Sequence, residues 1–189
     1  MQVLQRGVCW NTSTNSSPVN FETTDGTGTG SFTSWVTGLQ PGTTYYLKAY
    51  AANSEGFAFG EELSITTIAI PTIATTAVSA ITSSTATSGG EITKDGGAAI
   101  TAKGVCWTTT SNPTTANGKT VDGYGPGSFT SQVTSLASGT TYYLRAYATN
   151  SAGTGYGAQF TVLLQRLVTE TFTDIYGNVY HAFVIGTQT

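Results

Sequence analysis

The sequence predicts an all-β chain: two β-sandwiches in tandem, the first short of two strands, followed by a C-terminal tail of two more. Three observations carry this prediction. Thr, Ser and Gly are abundant, only 9% of residues are charged, and Tyr and Phe supply most of the large apolar surface; such side chains pack well on twisted, pleated sheets. No window sustains a helical apolar period, whereas several stretches alternate with period two. Finally, one long pattern occurs twice at a fixed spacing, the mark of repeated modules.

The repeated pattern is Leu39-Gln-Pro-Gly-Thr-Thr-Tyr-Tyr-Leu-Lys-Ala-Tyr-Ala-Ala-Asn-Ser-Glu-Gly56, which returns from Leu136 to Gly153 with Arg145 in place of Lys48. Strict alternation puts Tyr45, Leu47, Ala49 and Ala51 on one face of a strand and Tyr46, Lys48, Tyr50 and Ala52 on the other. Cys9 and Cys106, Asp25 and Asp122, and Phe32 and Phe129 all share one offset, 97 positions (106 − 9 = 97), so the copies align without a gap. About half of the positions from Arg6 to Ile65 are identical in the second copy, which establishes the repeat.

In chain order, each copy reads as a Gly-Val-Cys-Trp strand, a polar loop, an Asp-Gly-rich turn, a Ser-Phe-Thr-Ser strand, the Tyr-rich strand, an Asn-Ser-x-Gly turn and a last short strand. That last strand is Glu62 to Thr67 in the first copy and Gln159 to Leu164 in the second. Only the second copy is preceded by two further strands, Ile73 to Ile81 and Thr85 to Thr93, closed by the turn Lys94-Asp-Gly-Gly97 into a strand from Ala98 to Trp107. The offset aligns Met1 with Ala98, so the first copy begins at its third strand. After the second copy come two more strands, Leu167 to Asp174 and Val179 to Ile185, joined at Tyr176-Gly-Asn178. The expected domains are residues 1–68, 69–163 and the tail 164–189.

The spacing Leu39-x-Pro41-x-Thr43-x-Tyr45-x-Leu47-x-Ala49-x-Ala51-x-Asn53-x-x-Gly56 resembles the F-strand signature of fibronectin type III domains, and Leu136 to Gly153 matches it with Ser138 replacing the proline. The wider pattern is similar to the Thr/Gly-rich variety of that repeat found in bacterial secreted and surface proteins. The resemblance implies fibronectin III/immunoglobulin-like sandwiches, with strands A, B and E packed on C, C′, F and G and a tyrosine corner at Tyr45 and Tyr142. The first copy departs from it by lacking A and B. The string Asp174-Ile-Tyr-Gly-Asn-Val-Tyr180 with Ile185-Gly-Thr-Gln188 resembles the opening of the Fibrobacter major paralogous domain, a bacterial surface module.

The missing A and B strands correspond to residues 71–97, 27 positions (97 − 71 + 1), and the surplus from 163 to 189 is also 27 (189 − 163 + 1). A sandwich without two strands leaves unpaired edge groups and an open apolar face, a template for strand addition. Each inward side chain left uncovered forfeits roughly 1.5–3 kcal/mol. The sequence therefore suggests that the tail of one molecule completes the first sandwich of the next. The expected donor residues are Phe172, Ile175, Val179, Tyr180, Phe183 and Ile185; the expected acceptors are Val3, Val8, Cys9, Phe32, Val36, Tyr45 and Leu47. The partners would be other copies of the same chain, joined head to tail. The alternative is a spacer or stalk within a larger adhesin or secreted enzyme.

Signals for other chemistry are weak. A net charge of −3 without a basic cluster argues against nucleic acid, and no apolar run is long enough to span a bilayer. His181, the one histidine, sits in an alternating strand without catalytic partners, and no residues have zinc-ligand spacing, so neither enzyme activity nor a metal or other cofactor is expected. Asp25-Gly-Thr-Gly-Thr-Gly30 and Asp122-Gly-Tyr-Gly-Pro-Gly127 precede strands rather than helices, so they read as turns and not phosphate loops. Their carboxylates are too sparse for a calcium site. Cys9 and Cys106 occupy equivalent places in separate modules and read as buried thiols. If both face inward, Trp10, Tyr46, Lys48 and Tyr50 share an outer face, as do Trp107, Tyr143, Arg145 and Tyr147; this would be a stiffening ladder or, less favoured, a carbohydrate platform or a lateral contact between subunits. Asn11 and Asn15 head glycosylation sequons. Met1-Gln-Val-Leu-Gln-Arg6 lacks the features of a signal peptide, so the leader has been removed or the chain is a fragment. The combined expectation is an extracellular or cell-surface structural protein.

Overall fold

The computed structural model describes residues 1–19, 21–166 and 171–181, all strand, turn or irregular backbone without a helix. Backbone packing divides the chain into two units, Met1–Ala69 and Ile70–Thr189.

Unit 1 contains β1 (Gln5–Asn11), β2 (Phe21–Glu22), β3 (Thr44–Asn53), β4 (Gly56–Phe59) and β5 (Leu63–Thr66), all in one antiparallel sheet. The Tyr-rich strand β3 is its spine, with β1 on one edge and both β4 and β5 on the other. The chain enters β3 after Gly42, at φ 63°, and leaves it through a hairpin whose Gly56 has φ 139°; glycine takes such angles without a Cβ clash. Asn53 Oδ1 accepts the Glu55 amide at 2.9 Å and fixes that hairpin. Between β4 and β5 the ladder breaks, and the Gly60 amide still reaches Ala49 O at 2.9 Å. The expected last strand, Glu62 to Thr67, forms as β5, and β4 is an additional short strand before it on the same edge of β3.

Unit 2 contains β6 (Thr72–Ser79), β7 (Ala86–Lys94), β8 (Ala102–Thr108), β9 (Gly118–Lys119), β10 (Gly127–Val133), β11 (Thr141–Asn150), β12 (Gly153–Tyr156) and β13 (Phe160–Leu163). They form two sheets: β10-β7-β6, and β9-β8-β11 with β12 and β13 along the far edge of β11. These are strands E, B and A packed on C′, C, F and G, the fibronectin III/immunoglobulin-like sandwich. Val105, Val133, Leu144, Val162 and Leu164 fill one part of its core, and Ile73, Ile92, Ile100 and Ala146 another. The sheets approach closely at Gly90, where an added Cβ would lie 2.7 Å from that of Ala146. Unit 2 also includes β14 (Thr171–Thr173) and β15 (Val179–His181), which pair as a two-stranded hairpin around Asp174. Asp174 Oδ1 accepts the amides of Tyr176 and Asn178, each at 2.9 Å.

One expected strand does not form. Ser31 to Ser34 of unit 1 is not a strand, although the equivalent residues of unit 2 make a full ladder from Gly127↔Ile92 to Val133↔Ala86. The segments are nearly identical in sequence. What differs is the neighbour: β10 is a strand because β7 lies beside it, and unit 1 has no counterpart of β7 among the described residues.

Candidate strand-acceptor site

The offset of 97 residues makes unit 2 an internal template for unit 1. In unit 2, Val105, Leu144, Ala146 and Ala148 are fully buried beneath the β10-β7-β6 sheet. Their equivalents in unit 1 are half-buried Val8, Leu47 and Ala51 and exposed Ala49. At the sheet edge the contrast is sharper: Val162 is 3% exposed and its equivalent Ile65 is 44% exposed, with Leu63 beside it at 67%. No second sheet covers this face among the described residues. A cleft of about 360 Å³ opens at its end, lined by Val3, Ala51, Phe57 and Ala58 among others.

The segment 31–36 remains attached to the unit by side chains rather than by a ladder. The Arg6 guanidinium lies 5.3 Å from the Phe32 ring centroid and donates to the carbonyls of Gly28, Thr29 and Gly30. Asp25 Oδ2 accepts from Thr23 Oγ1 at 2.6 Å and from Ser34 Oγ. The Ser34 and Thr23 hydrogen bonds, with Arg6 adding a smaller effect, hold the Asp25 carboxyl below its ordinary pKa of 3.8. Unit 2 repeats both devices, with Lys103 over Phe129 and with Asp122 taking Thr120 and Ser131. In unit 2 they reinforce a paired strand. In unit 1 they position one whose backbone groups from Ser31 to Val36 make no hydrogen bond to another backbone group among the described residues.

Of the expected acceptor residues, Val8 and Leu47 lie on the uncovered face of β1 and β3, and Phe32 and Val36 on the unpaired segment, all half-buried. Val3 lines the cleft. Tyr45, on the same face as Leu47, is 6% exposed, and its Oη accepts the Gln40 amide at 3.0 Å; Tyr142 Oη accepts the Ala137 amide at 3.2 Å. Cys9 requires correction. It pairs with Lys48, whereas Trp10 pairs with Leu47, so Cys9 faces away from the uncovered side and Trp10 towards it. Cys9 is nonetheless buried, as is Cys106, and both thiols are free. Burial is the main cause that pushes the Cys106 thiol up; its Sγ lies 3.4 Å from Pro113 O in the loop that folds over this side.

The same register removes the outer aromatic ladder. Trp10 stacks on Phe21 at 6.0 Å on the inner face. Tyr50 and Tyr147 are outward but buried, because each ring lies opposite a glycine, Gly7 or Gly104, and donates its hydroxyl to Thr23 O or Thr120 O at 2.7 Å. A Cβ at Gly7 would fall 2.1 Å from Thr23 O, so only glycine admits this arrangement. Burial raises the pKa of both tyrosines. Neither ring presents a face to a sugar. Lys48 instead pairs with Glu62 at 3.3 Å, and Glu62 also caps the amides of Asn15 and Ser16. Asn15 is exposed with φ 61°, while Asn11 is half-buried and accepts the Thr12 amide.

Among the expected donors, Ile175 and Val179 are exposed, at 91% and 58%. Phe172 and Tyr180 are placed by backbone, paired with each other across β14 and β15. Phe183 and Ile185 lie outside the described residues. Sequence reasoning missed Trp35, 84% exposed at the place of Gln132, and exposed Phe57 and Phe59, whose rings stack at 6.1 Å. Comparison of the copies signals all three, since each is aromatic in unit 1 and Gln132 and Thr154 replace two of them in unit 2. No group of three His, Cys, Asp or Glu capable of holding a metal occurs among the described residues.

No known protein family matches the chain, and no curated protein matches it. Solved structures do. Domains FN1–FN3 of chicken CNTN1 are similar at 16% identity and TM-score 0.40, over 86% of this chain and 56% of theirs. Domains A168-A170 from titin are similar at 17% identity and TM-score 0.42, over 84% of this chain and 54% of theirs. The sensor domain of the anti-sigma factor RsgI4 in Pseudobacteroides cellulosolvens is similar at 20% identity and TM-score 0.40, over 53% of this chain and all of that one. The chain thus spans little more than half the length of the first and second of these.

Proposed function

We propose that the chain is an extracellular, non-enzymatic structural subunit that polymerises head to tail, the C-terminal strands of one copy completing the first unit of the next. The observation that supports this most is the contrast between equivalent faces: the surface buried in unit 2 beneath β6, β7 and β10 is uncovered in unit 1, beside a segment with the strand's sequence and no ladder partner. Backbone hydrogen bonds supply much of the affinity in such strand addition, and side-chain pockets supply the selectivity. Donor and acceptor are different surfaces, so repeated addition gives an open filament unless the rotation closes a ring.

Leu164 is 1% exposed and Gln165 N donates to Thr82 O, so the second unit uses the chain as far as these residues. A truncation that removes residues 167–189 therefore spares that sandwich. Electron microscopy and sedimentation of the full chain should show regular fibres, and the truncated chain should remain dispersed. Fibres from the truncated chain, or a full chain that stays monomeric with a protected first unit, would refute the proposal. The latter result would point to self-completion or a spacer role.

A further inference from the structure

We infer that Arg6 is the cation that presents the receiving edge of unit 1, and that it is buried when the strands of a second copy arrive, with backbone carbonyls in place of any carboxylate from the guest. This role rests on the strand-donation reading above and adds the residue that organises the site and the chemistry the guest needs over it.

The β1–β3 register sets Arg6 against Ala51, Val8 against Ala49 and Trp10 against Leu47, so Arg6 belongs to the same uncovered face as the apolar acceptors. Its equivalent in unit 2, Lys103, is 8% exposed and lies opposite fully buried Ala148, whereas Arg6 and Ala51 are half-buried. A guest that completes unit 1 therefore has to cover a positive charge.

Taking a charge out of water is costly unless it keeps hydrogen-bonding partners. Unit 1 supplies them beforehand. Arg6 Nε donates to Asp25 O at 3.4 Å, and Nη1 to the carbonyls of Gly28, Thr29 and Gly30 at 3.3, 3.2 and 3.3 Å. Gly26, Gly28 and Gly30 have φ 102°, 78° and 110°, a winding that side chains rarely permit and that brings three successive carbonyls to one nitrogen. Lys103 donates to Pro126 O alone, at 3.2 Å, the equivalent of the Thr29 carbonyl. A guanidinium is also less strongly hydrated than an ammonium and spreads its donors in a fixed plane. The copy that lacks a covering sheet thus has the cation better suited to being covered.

The same guanidinium lies 5.3 Å from the ring centroid of Phe32, in the segment without a ladder partner. In unit 2 the β10–β7 ladder fixes Phe129, and Lys103 over its ring at 5.6 Å is a supplement. In unit 1 Arg6 substitutes for the ladder, so residues 31–36 meet the guest already placed, and less conformational freedom is lost on binding.

The guest need not bring a negative charge. Neither Arg6 nor Lys103 forms an ion pair among the described residues. In the tail, Asp174 is committed to its own turn, Oδ1 to the Tyr176 and Asn178 amides and Oδ2 to Asn178 Nδ2, each at 2.9 Å. The strand laid over Arg6 is uncharged at that point.

The test uses the full chain as parent, Arg6→Met, Arg6→Lys and Glu170→Gln, with the critical concentration for fibres read by sedimentation. Arginine modification by phenylglyoxal, mapped by mass spectrometry, is compared in dispersed and assembled parent. Arg6 should lose most of its reactivity on assembly, while Arg145, whose contacts with Pro113 and Tyr156 lie within unit 2, keeps its rate. Arg6→Met, although more apolar, should raise the critical concentration about tenfold or more, the loss expected when hydrogen bonds to a charged group are removed. Arg6→Lys should recover most of that loss, as lysine serves in unit 2, and Glu170→Gln should assemble like the parent. An Arg6→Met chain that assembles as well as the parent, or an Arg6 equally reactive in both states, would overturn the role of Arg6 even where the 167–189 truncation abolishes fibres. The reactivity measurement needs no variant, so it decides the matter if Arg6→Met unfolds unit 1. Impairment of Glu170→Gln equal to that of Arg6→Met would overturn the uncharged guest. Fibres surviving the truncation would instead overturn strand donation itself.

Discussion

Ala49 and Ala146 are the same residue of the same strand in two copies of one module, yet Ala146 is fully buried against the backbone of Gly90 and Ala49 is exposed. Burial here is set by the neighbour and not by the strand. Mutations at equivalent positions should therefore have unequal costs, and the inequality measures what covers unit 1.

Leu144→Ala should destabilise unit 2 by about 2–5 kcal/mol, the usual range for a large-to-small change in a packed core. Leu47→Ala should cost much less in the unassembled chain, because Leu47 is only half-buried. Chemical denaturation of the two variants checks this. In assembled material the two costs should converge.

Gly155→Ala places a methyl group 1.9 Å from Pro71 O, a backbone atom that cannot move without disturbing β6. A loss of about 1–3 kcal/mol is expected, as for other overpacked sites. The reciprocal change Ala58→Gly should have an effect within about 1 kcal/mol, the helix- or strand-interior cost of glycine itself. Thermal melts of both variants provide the comparison.

Tyr45→Phe and Tyr142→Phe each delete the acceptor of a backbone amide, Gln40 N or Ala137 N. Each should cost about 0.5–1.5 kcal/mol, the net value of a typical hydrogen bond. Amide exchange at Gln40 should accelerate in the first variant alone.

Asp25 gives a pH signature. Its folded pKa lies below the ordinary 3.8, chiefly through Ser34 and then Thr23. A depressed carboxyl pKa stabilises the folded state above its unfolded value, and that contribution is lost as pH falls through the folded one. The advantage of the parent over Asp25→Asn should hold at neutral pH and fade only below about pH 4. Ser34→Ala should raise the Asp25 pKa, seen by NMR titration, and loosen residues 31–36.

Cys9 and Cys106 should resist alkylation in the native chain, since both thiols are buried and burial raises the Cys106 pKa. Modification should track unfolding in denaturant.

The sequence by itself determined the fold class, the repeat and its strand order. These depend on local alternation, turn glycines and a gap-free offset, which need no knowledge of neighbours: β3 and β11 follow from Tyr45-to-Asn53 and Tyr142-to-Asn150 alternation, and β6 and β7 from the segment before the second copy. Tertiary structure decided three other matters. It decided which face Cys9 and Trp10 occupy, because a cross-strand register between β1 and β3 is invisible to alternation within either strand. Tyr50 and Tyr147 are buried because glycines opposite them let distant carbonyls approach. Ser31-Phe-Thr-Ser34 and Ser128-Phe-Thr-Ser131 have the same sequence and only the second is a strand, because ladder hydrogen bonds are made by two segments and a segment without a partner cannot make them alone.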